Sequence, residues 1–234
     1  MGNKTEAMIS IFFPLHCPFC DTVIDYKSLY CDECGKSLLF TSLHSVCTRC
    51  GKAECVCGRE PFLDRIYVPF FYYEKIKNAI KGIKFHNKRG YARPLAKILS
   101  AFILKADPNA TFDLIIPVPM TKKDVRKRGY NQSALIAKFL GKNLLVEVDN
   151  KSLIKTRQTK KQHELENSKN RKTNLKDAFS VINPDKLKGK TVLLCDDVIT
   201  TGSTLKEISS VLKKAGVLSI KAAVLATSAG IENS

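Results

Sequence analysis

The sequence predicts an α/β protein: a mostly parallel sheet flanked by helices, with a small cysteine-rich module in front of it. Three observations carry this. Continuous apolar runs at residues 113–118 and 191–195 are those of parallel strands buried on both faces. Segments with helical spacing alternate with them, the order that builds a doubly wound sheet. Eight of the nine cysteines crowd between Cys17 and Cys57 in close pairs. At 234 residues and 44% hydrophobic content, the chain has room for one large domain and an appendage.

Charge divides the chain where cysteine does. Residues 1–65 hold 7 Lys or Arg against 8 Asp or Glu, whereas residues 66–234 hold 32 against 14. The reading is therefore a zinc-binding module at 1–65 and an α/β domain at 66–234. The apolar patch at 8–15 is too short to span a bilayer, which takes about 20 residues. Only Lys4 precedes it and no small-residue cleavage site follows, so no secretory signal is expected. A lipoprotein site at Cys17 would need a small residue where His16 stands. The expected location is cytoplasmic, without membrane insertion.

In the first module the pattern is Cys17-x2-Cys20, Cys31-x2-Cys34, Cys47-x2-Cys50 and Cys55-x-Cys57. Two thiolates two residues apart curl around one ion, and two such knuckles complete the tetrahedron Zn²⁺ accepts. One or two structural zinc sites are expected, with Cys17, Cys20, Cys31 and Cys34 the firmer set. Pairing of alternate knuckles stays open. His16 and His44 read as exposed polar side chains, because thiolates are in even supply. So small a module buries little, and ion binding would supply much of its folding free energy.

In the second module, residues 67–73 read as an aromatic-rich strand serving core packing rather than base stacking. Residues 74–82 and 93–105 have helical spacing, the latter with Leu95, Ile98, Leu99 and Phe102 on one face. After the strand at 113–118 come a helix at 132–142 and a candidate strand at 144–148. Residues 150–176 lose periodicity and read as a long, mobile, basic loop, of a length usually reserved for lids or links. A buried strand at 191–195, a helix at 203–215 and a strand at 219–226 close the domain.

The segment that carries chemistry is 191–205: apolar strand, Asp196 and Asp197, Val198, then Thr200, Thr201, Gly202, Ser203 and Thr204 entering a helix. Ligands of open α/β sheets settle at the carboxyl ends of strands. Backbone N–H groups and hydroxyls at a helix N-terminus form an anion cradle, and Gly202 lets a phosphate approach. Twin carboxylates suit ribose hydroxyls, which donate to them, and Mg²⁺. Together they fit a sugar 5′-phosphate with its diol toward the acids.

This segment resembles the signature of the phosphoribosyltransferases, which implies a type I phosphoribosyltransferase-like fold and binding of 5-phosphoribosyl-1-pyrophosphate (PRPP) with Mg²⁺. By that resemblance Asp196 and Asp197 meet the ribose hydroxyls and are the catalytic pair, and residues 200–204 hold the 5′-phosphate. Ile116-Pro-Val-Pro-Met120, with Val118 and Pro119, is similar to the pyrophosphate-side loop of the ComF/ComFC competence proteins. Arg126-Lys-Arg-Gly-Tyr-Asn-Gln132 is similar to their Arg-Gly-aromatic-Asn-Gln stretch. Their pattern across the loop falls on Arg157, Thr159, Gln162, Leu165, Arg171, Asn174, Ala178 and Phe179. Ile83-Lys84-Phe85 and the cysteine knuckles match too. Cys195 stands where Val is usual, and the fourth knuckle is Cys-x-Cys.

The resemblance implies handling of incoming single-stranded DNA in natural transformation. Lys122, Lys123, Arg126, Lys127, Arg128, Arg157, Lys160, Lys161, Arg171 and Lys172 are the residues expected to track a phosphodiester backbone, in a salt-sensitive, sequence-tolerant way. One alternative is an active phosphoribosyltransferase with a nitrogen acceptor. A complete glutamine amidophosphoribosyltransferase is not expected, because no glutaminase half with an N-terminal catalytic Cys precedes the domain. Another is a scaffold whose zinc ribbon docks a ComFA-like helicase or other DNA-uptake protein.

Overall fold

The computed structural model describes residues 14–25, 27–41, 45–55, 57–58, 61–156 and 177–228. The cysteine module forms a two-stranded antiparallel hairpin, β1 (Leu15–His16) and β2 (Val23–Ile24), and one short helix, α1 (Asp32–Ser37). The chain then enters β3 (Arg65–Tyr67) and β4 (Phe70–Phe71), followed by α2 (Glu74–Phe85) and α3 (Ala92–Ala106). Next come β5 (Leu114–Pro117), α4 (Lys122–Arg128) and α5 (Gln132–Leu144). A small hairpin follows, from β6 (Leu153–Lys155) and β7 (Phe179–Val181), then the turn-like α6 (Pro184–Leu187). The domain closes with β8 (Thr191–Ile199), α7 (Ser203–Lys214) and β9 (Ser219–Thr227).

The main sheet has the order β3-β9-β8-β5, all parallel, with β4 continuing β3 along β9 in the same register. Strand alternation sends successive side chains to opposite faces. Leu193 and Cys195 enter one apolar layer together with α2, α3 and α5, while Val192 and Leu194 enter the other with Leu205, Ile208 and Leu212 of α7. Both faces are covered, which explains the unbroken apolar runs. Two expected elements differ. Residues 144–148 supply only a single bridge, Val148 to Ile115, because Leu145 turns into the left-handed region (φ 57°). The expected loop begins with an ordered strand, since β6 pairs β7; residues 157–176 lie outside those described.

The ribbon shares a core with the sheet. Phe19 stacks edge-on against Phe70 (5.9 Å), and both belong to the layer that holds Tyr67 and Ile115. The aromatic run thus does pack inward. The Tyr73 hydroxyl donates to the Ser37 carbonyl (2.9 Å), Thr41 N–H to the Pro69 carbonyl (2.8 Å), and Ile66 N–H to the Thr48 carbonyl (2.7 Å). Asp21, in the left-handed conformation just after Cys20, accepts hydrogen bonds from Lys88 and Tyr91. Tyr91 lies against Gly82 of α2, where a Cβ would come within 2.9 Å of its ring. Among the described residues no helix is long and apolar enough to cross a membrane.

Candidate functional site

Strand β8 runs four residues beyond the apolar stretch and carries Asp196 and Asp197 to the carboxyl end of the sheet. Asp197 is buried. Its Oδ1 accepts a 2.8 Å hydrogen bond from Lys84 Nζ at the end of α2, while its Oδ2, equally buried, has no partner among the described residues. Burial works against the Lys84 ammonium, but the Asp197 carboxylate outweighs it and leaves the lysine above its ordinary pKa. Asp196 Oδ1 accepts from Ser133 Oγ (2.9 Å) and from the Asp197 N–H (2.9 Å). Its burial, with the neighbouring Asp197 charge, raises it to about 7.

Asp196, Val198, Thr200, Gly202, Ser203 and Thr204 line one small cleft at the start of α7. Gly202 caps that helix with φ 76°, a conformation that favours glycine, and a Cβ there would press on Phe62 Cζ at 3.2 Å. Thr201 and Ser203 hydroxyls share a 2.8 Å hydrogen bond across the turn. The start of α7, with its hydroxyls and backbone N–H groups, therefore faces a cleft that Asp196 also lines. That donor set can hold a phosphate at one end and hydroxyl donors at the other.

Val118 and Pro119 leave β5 beside this cleft, as Pro117 pairs with Cys195 and the Val118 N–H donates to the Cys195 carbonyl (2.9 Å). Pro119 also lines an adjoining cavity of about 640 Å³ with Thr121, Asn131, Lys155 and Thr156. Asn131 caps α5, accepting from Ser133 and Ala134 N–H and donating to the Val118 carbonyl (2.9 Å). It thereby ties the helix bearing Ser133 to the strand beside Asp196. Tyr130 donates to the Ile83 carbonyl, and Arg128 donates to Gln132 while lying over the Phe85 ring. The Arg-Gly-Tyr-Asn-Gln stretch thus braces the α2 terminus that presents Lys84.

The eight cysteines form two sets, Cys17 with Cys20, Cys31 and Cys34, and Cys47 with Cys50, Cys55 and Cys57, each with all sulfurs within 4.8 Å of one another. Consecutive knuckles therefore pair, not alternate ones. Thiolates about 2.3 Å from a tetrahedral Zn²⁺ lie about 3.8 Å apart; Cys20 and Cys31 sulfurs stand at 3.5 Å, Cys47 and Cys57 at 3.7 Å. Burial first, then crowding by the other thiols, raises Cys34 and Cys57 far above an ordinary thiol, a penalty that a cation removes. These are two four-thiolate sites built for structural zinc. His16 is exposed and bonds the Asp21 carbonyl, outside both sets; His44 lies outside the described residues.

Of the basic residues expected on DNA, Lys122, Lys123, Arg126 and Lys127 project from α4 toward solvent, while Arg128 is engaged as above. Arg157, Lys160, Lys161, Arg171 and Lys172 fall outside the described residues. Two residues of the acid site had no role assigned from sequence, Lys84 and Ser133. Lys84 had a legible signal: Ile76 and Ile80 precede it at helical four-residue spacing, so the lysine interrupts the buried stripe of α2. Ser133 gave none beyond its place after a capping Asn.

Residues 125–232 match the model of the phosphoribosyl transferase domain, and residues 8–64 that of the double zinc ribbon domain. Sheet, acid pair and paired four-thiolate sites thus define a type I phosphoribosyltransferase fold with an N-terminal double zinc ribbon. The chain is 36% identical over 198 residues to Competence protein F of Haemophilus influenzae, spanning 82% of each chain. It is 30% identical over 208 residues to the DNA utilization protein YhgH of Escherichia coli K12, covering 88% of this chain and 87% of the relative. Against Competence protein ComFC of Bacillus subtilis the identity is 24% over 186 residues, 75% and 68% of the two chains. The protein belongs to the ComF/ComFC competence family.

Proposed function

We propose that the protein handles single-stranded DNA in the cytoplasm during natural transformation, and that residues 196–204 form a PRPP pocket serving that task. The observation that carries the pocket is Asp197, which has one oxygen held by Lys84 and a second oxygen buried without a donor among the described residues. A buried carboxylate oxygen left open is costly, about 1–3 kcal/mol or more for a charged group, and a sugar hydroxyl would satisfy it. In this reading Asp196 and Asp197 orient the ribose diol, and Thr200, Thr201, Gly202, Ser203 and Thr204 bind the 5′-phosphate. Ser133, on the helix that Asn131 caps, holds Asp196 in place, and Lys84 holds Asp197. A carboxylate oxygen suits Mg²⁺, and Asp196 is the carboxylate that lines the cleft; when bound, the ion would neutralise pyrophosphate charge. The DNA reading rests on the names of the relatives and on the basic excess of the α/β module.

Calorimetry of PRPP with Mg²⁺, paired with anisotropy of a labelled oligothymidylate, tests both halves. Binding of each is expected, with Asp197→Ala abolishing the PRPP heat; silence with PRPP would sink the pocket. A second reading, phosphoribosyl transfer to a nitrogen acceptor, is favoured by the 640 Å³ cavity beside Pro119, which leaves room for one. Pyrophosphate release across a panel of bases and amines, lost in Asp197→Ala, would decide for it.

A further inference from the structure

A second cleft, of about 630 Å³, opens where the first zinc site meets the segment joining α2 to α3. One wall comes from the ribbon and includes Lys27; the other carries Lys88, Arg89, Arg93 and Lys97. Of the residues that line the cleft, Asp21 alone carries a carboxylate, and it already accepts from Lys88 and Tyr91. Arg93 and Lys97, one helical turn apart on α3, are exposed and paired with no carboxylate of the described residues. The floor is apolar, with Ile24, Leu29 and Pro94 beside the Tyr91 ring.

We propose that this junction cleft is the groove for a single-stranded nucleic-acid segment, its phosphates lying on Arg93 and Lys97 and its bases toward the apolar floor. The proposal rests on the reading that the protein handles single-stranded DNA, and it gives that activity a place. A chain of alternating anions and flat apolar rings is what a cationic rim over an apolar floor complements. A membrane surface is too flat to enter a cleft, and an acidic peptide does not supply the rings. The cleft is also built by metal. Asp21 directly follows Cys20 and fixes the ribbon wall to Lys88 and Tyr91, so the groove exists only while the first four-thiolate site is folded.

The test is anisotropy of a fluorescein-labelled oligothymidylate, titrated between about 50 and 200 mM salt. The full-length protein is compared with Arg93→Glu/Lys97→Glu and with Lys123→Glu/Arg126→Glu on α4. The cleft variant should weaken binding about tenfold more than the α4 variant, and two lost phosphate contacts should flatten the log–log salt slope by about 1.4. It should keep the wild-type calorimetric response to PRPP, which shows that it is folded. Chelation of zinc should abolish oligonucleotide binding as well. If the α4 variant costs as much or more, the cleft is overturned while the DNA reading stands. If polyglutamate displaces the oligonucleotide at matched charge, the groove takes acidic protein and the proposal fails. If the wild-type protein does not bind the oligonucleotide at all, the DNA reading fails with it.

Discussion

The ribbon and the α/β module reach order by opposite means. In the α/β module, β8 and β9 each offer a long row of fully buried side chains, and helices cover both faces. In the ribbon, the only regular elements among the described residues are a hairpin of two-residue strands and a six-residue helix. Apolar burial holds the first, and eight converging sulfurs hold the second. The difference teaches where each part is vulnerable: one to cavities and unpaired charge, the other to loss of an ion.

The largest effect should therefore come from metal removal. Structural zinc supplies on the order of 10 kcal/mol in small zinc modules. Chelation or Cys34→Ser should abolish amide protection across residues 14–58 while β8 and β9 stay protected in hydrogen exchange. Loss of protection throughout would break the comparison, showing that the shared Phe19–Phe70 packing makes one cooperative unit.

Next comes charge within the α/β module. Asp197→Ala leaves the Lys84 ammonium without its partner and should cost about 3–5 kcal/mol in urea unfolding. Lys84→Met combined with Asp197→Asn should recover most of that loss. No recovery would mean that Asp197 stabilises the fold by some route other than the ion pair.

Acid should separate the two regions by pH. Asp149 is buried, and burial opposes its charge. The Ser152 hydroxyl, the Lys151 and Ser152 N–H groups and Lys186 outweigh burial and lower the carboxyl from 3.8 to about 2. A depressed carboxyl contributes stability above its unfolded pKa and loses it as pH falls through the folded one. The contribution, roughly 2 kcal/mol, should thus be complete above about pH 5, mostly lost by about pH 2 and gone near pH 1. Urea unfolding of Asp149→Asn beside the wild type should show that gap at pH 6 and little of it at pH 2. Zinc release, followed with a metal dye, should already be complete at higher pH, because thiolates must be deprotonated to bind. The smallest stability effect is that of Gly202→Ala, about 1 kcal/mol from the left-handed backbone, with a larger loss in PRPP affinity.

What the sequence disclosed follows the same division. Strands buried on both faces announce themselves as continuous apolar runs, and thiol pairs announce a tetrahedral ion, because each feature is local. Strand β8 runs past its apolar stretch because Lys84, 113 residues away, neutralises an acid that would otherwise end it. Asp21 reads as a turn residue, and nothing nearby signals that it holds Lys88 and Tyr91. The β6–β7 hairpin has only three residues per arm, too few to show a period. The acids and the loop that enters α7 were legible; Lys84 left only its interruption of the α2 stripe and Ser133 left nothing, since their partners are distant in the chain.

The most direct test is a crystal structure of the protein soaked with PRPP and Mg²⁺. The ribose diol should lie on Asp196 and Asp197, with a donor on Asp197 Oδ2 and the 5′-phosphate on the N–H groups of residues 200–204. Density for the ligand elsewhere, with that oxygen still unpartnered, would contradict it.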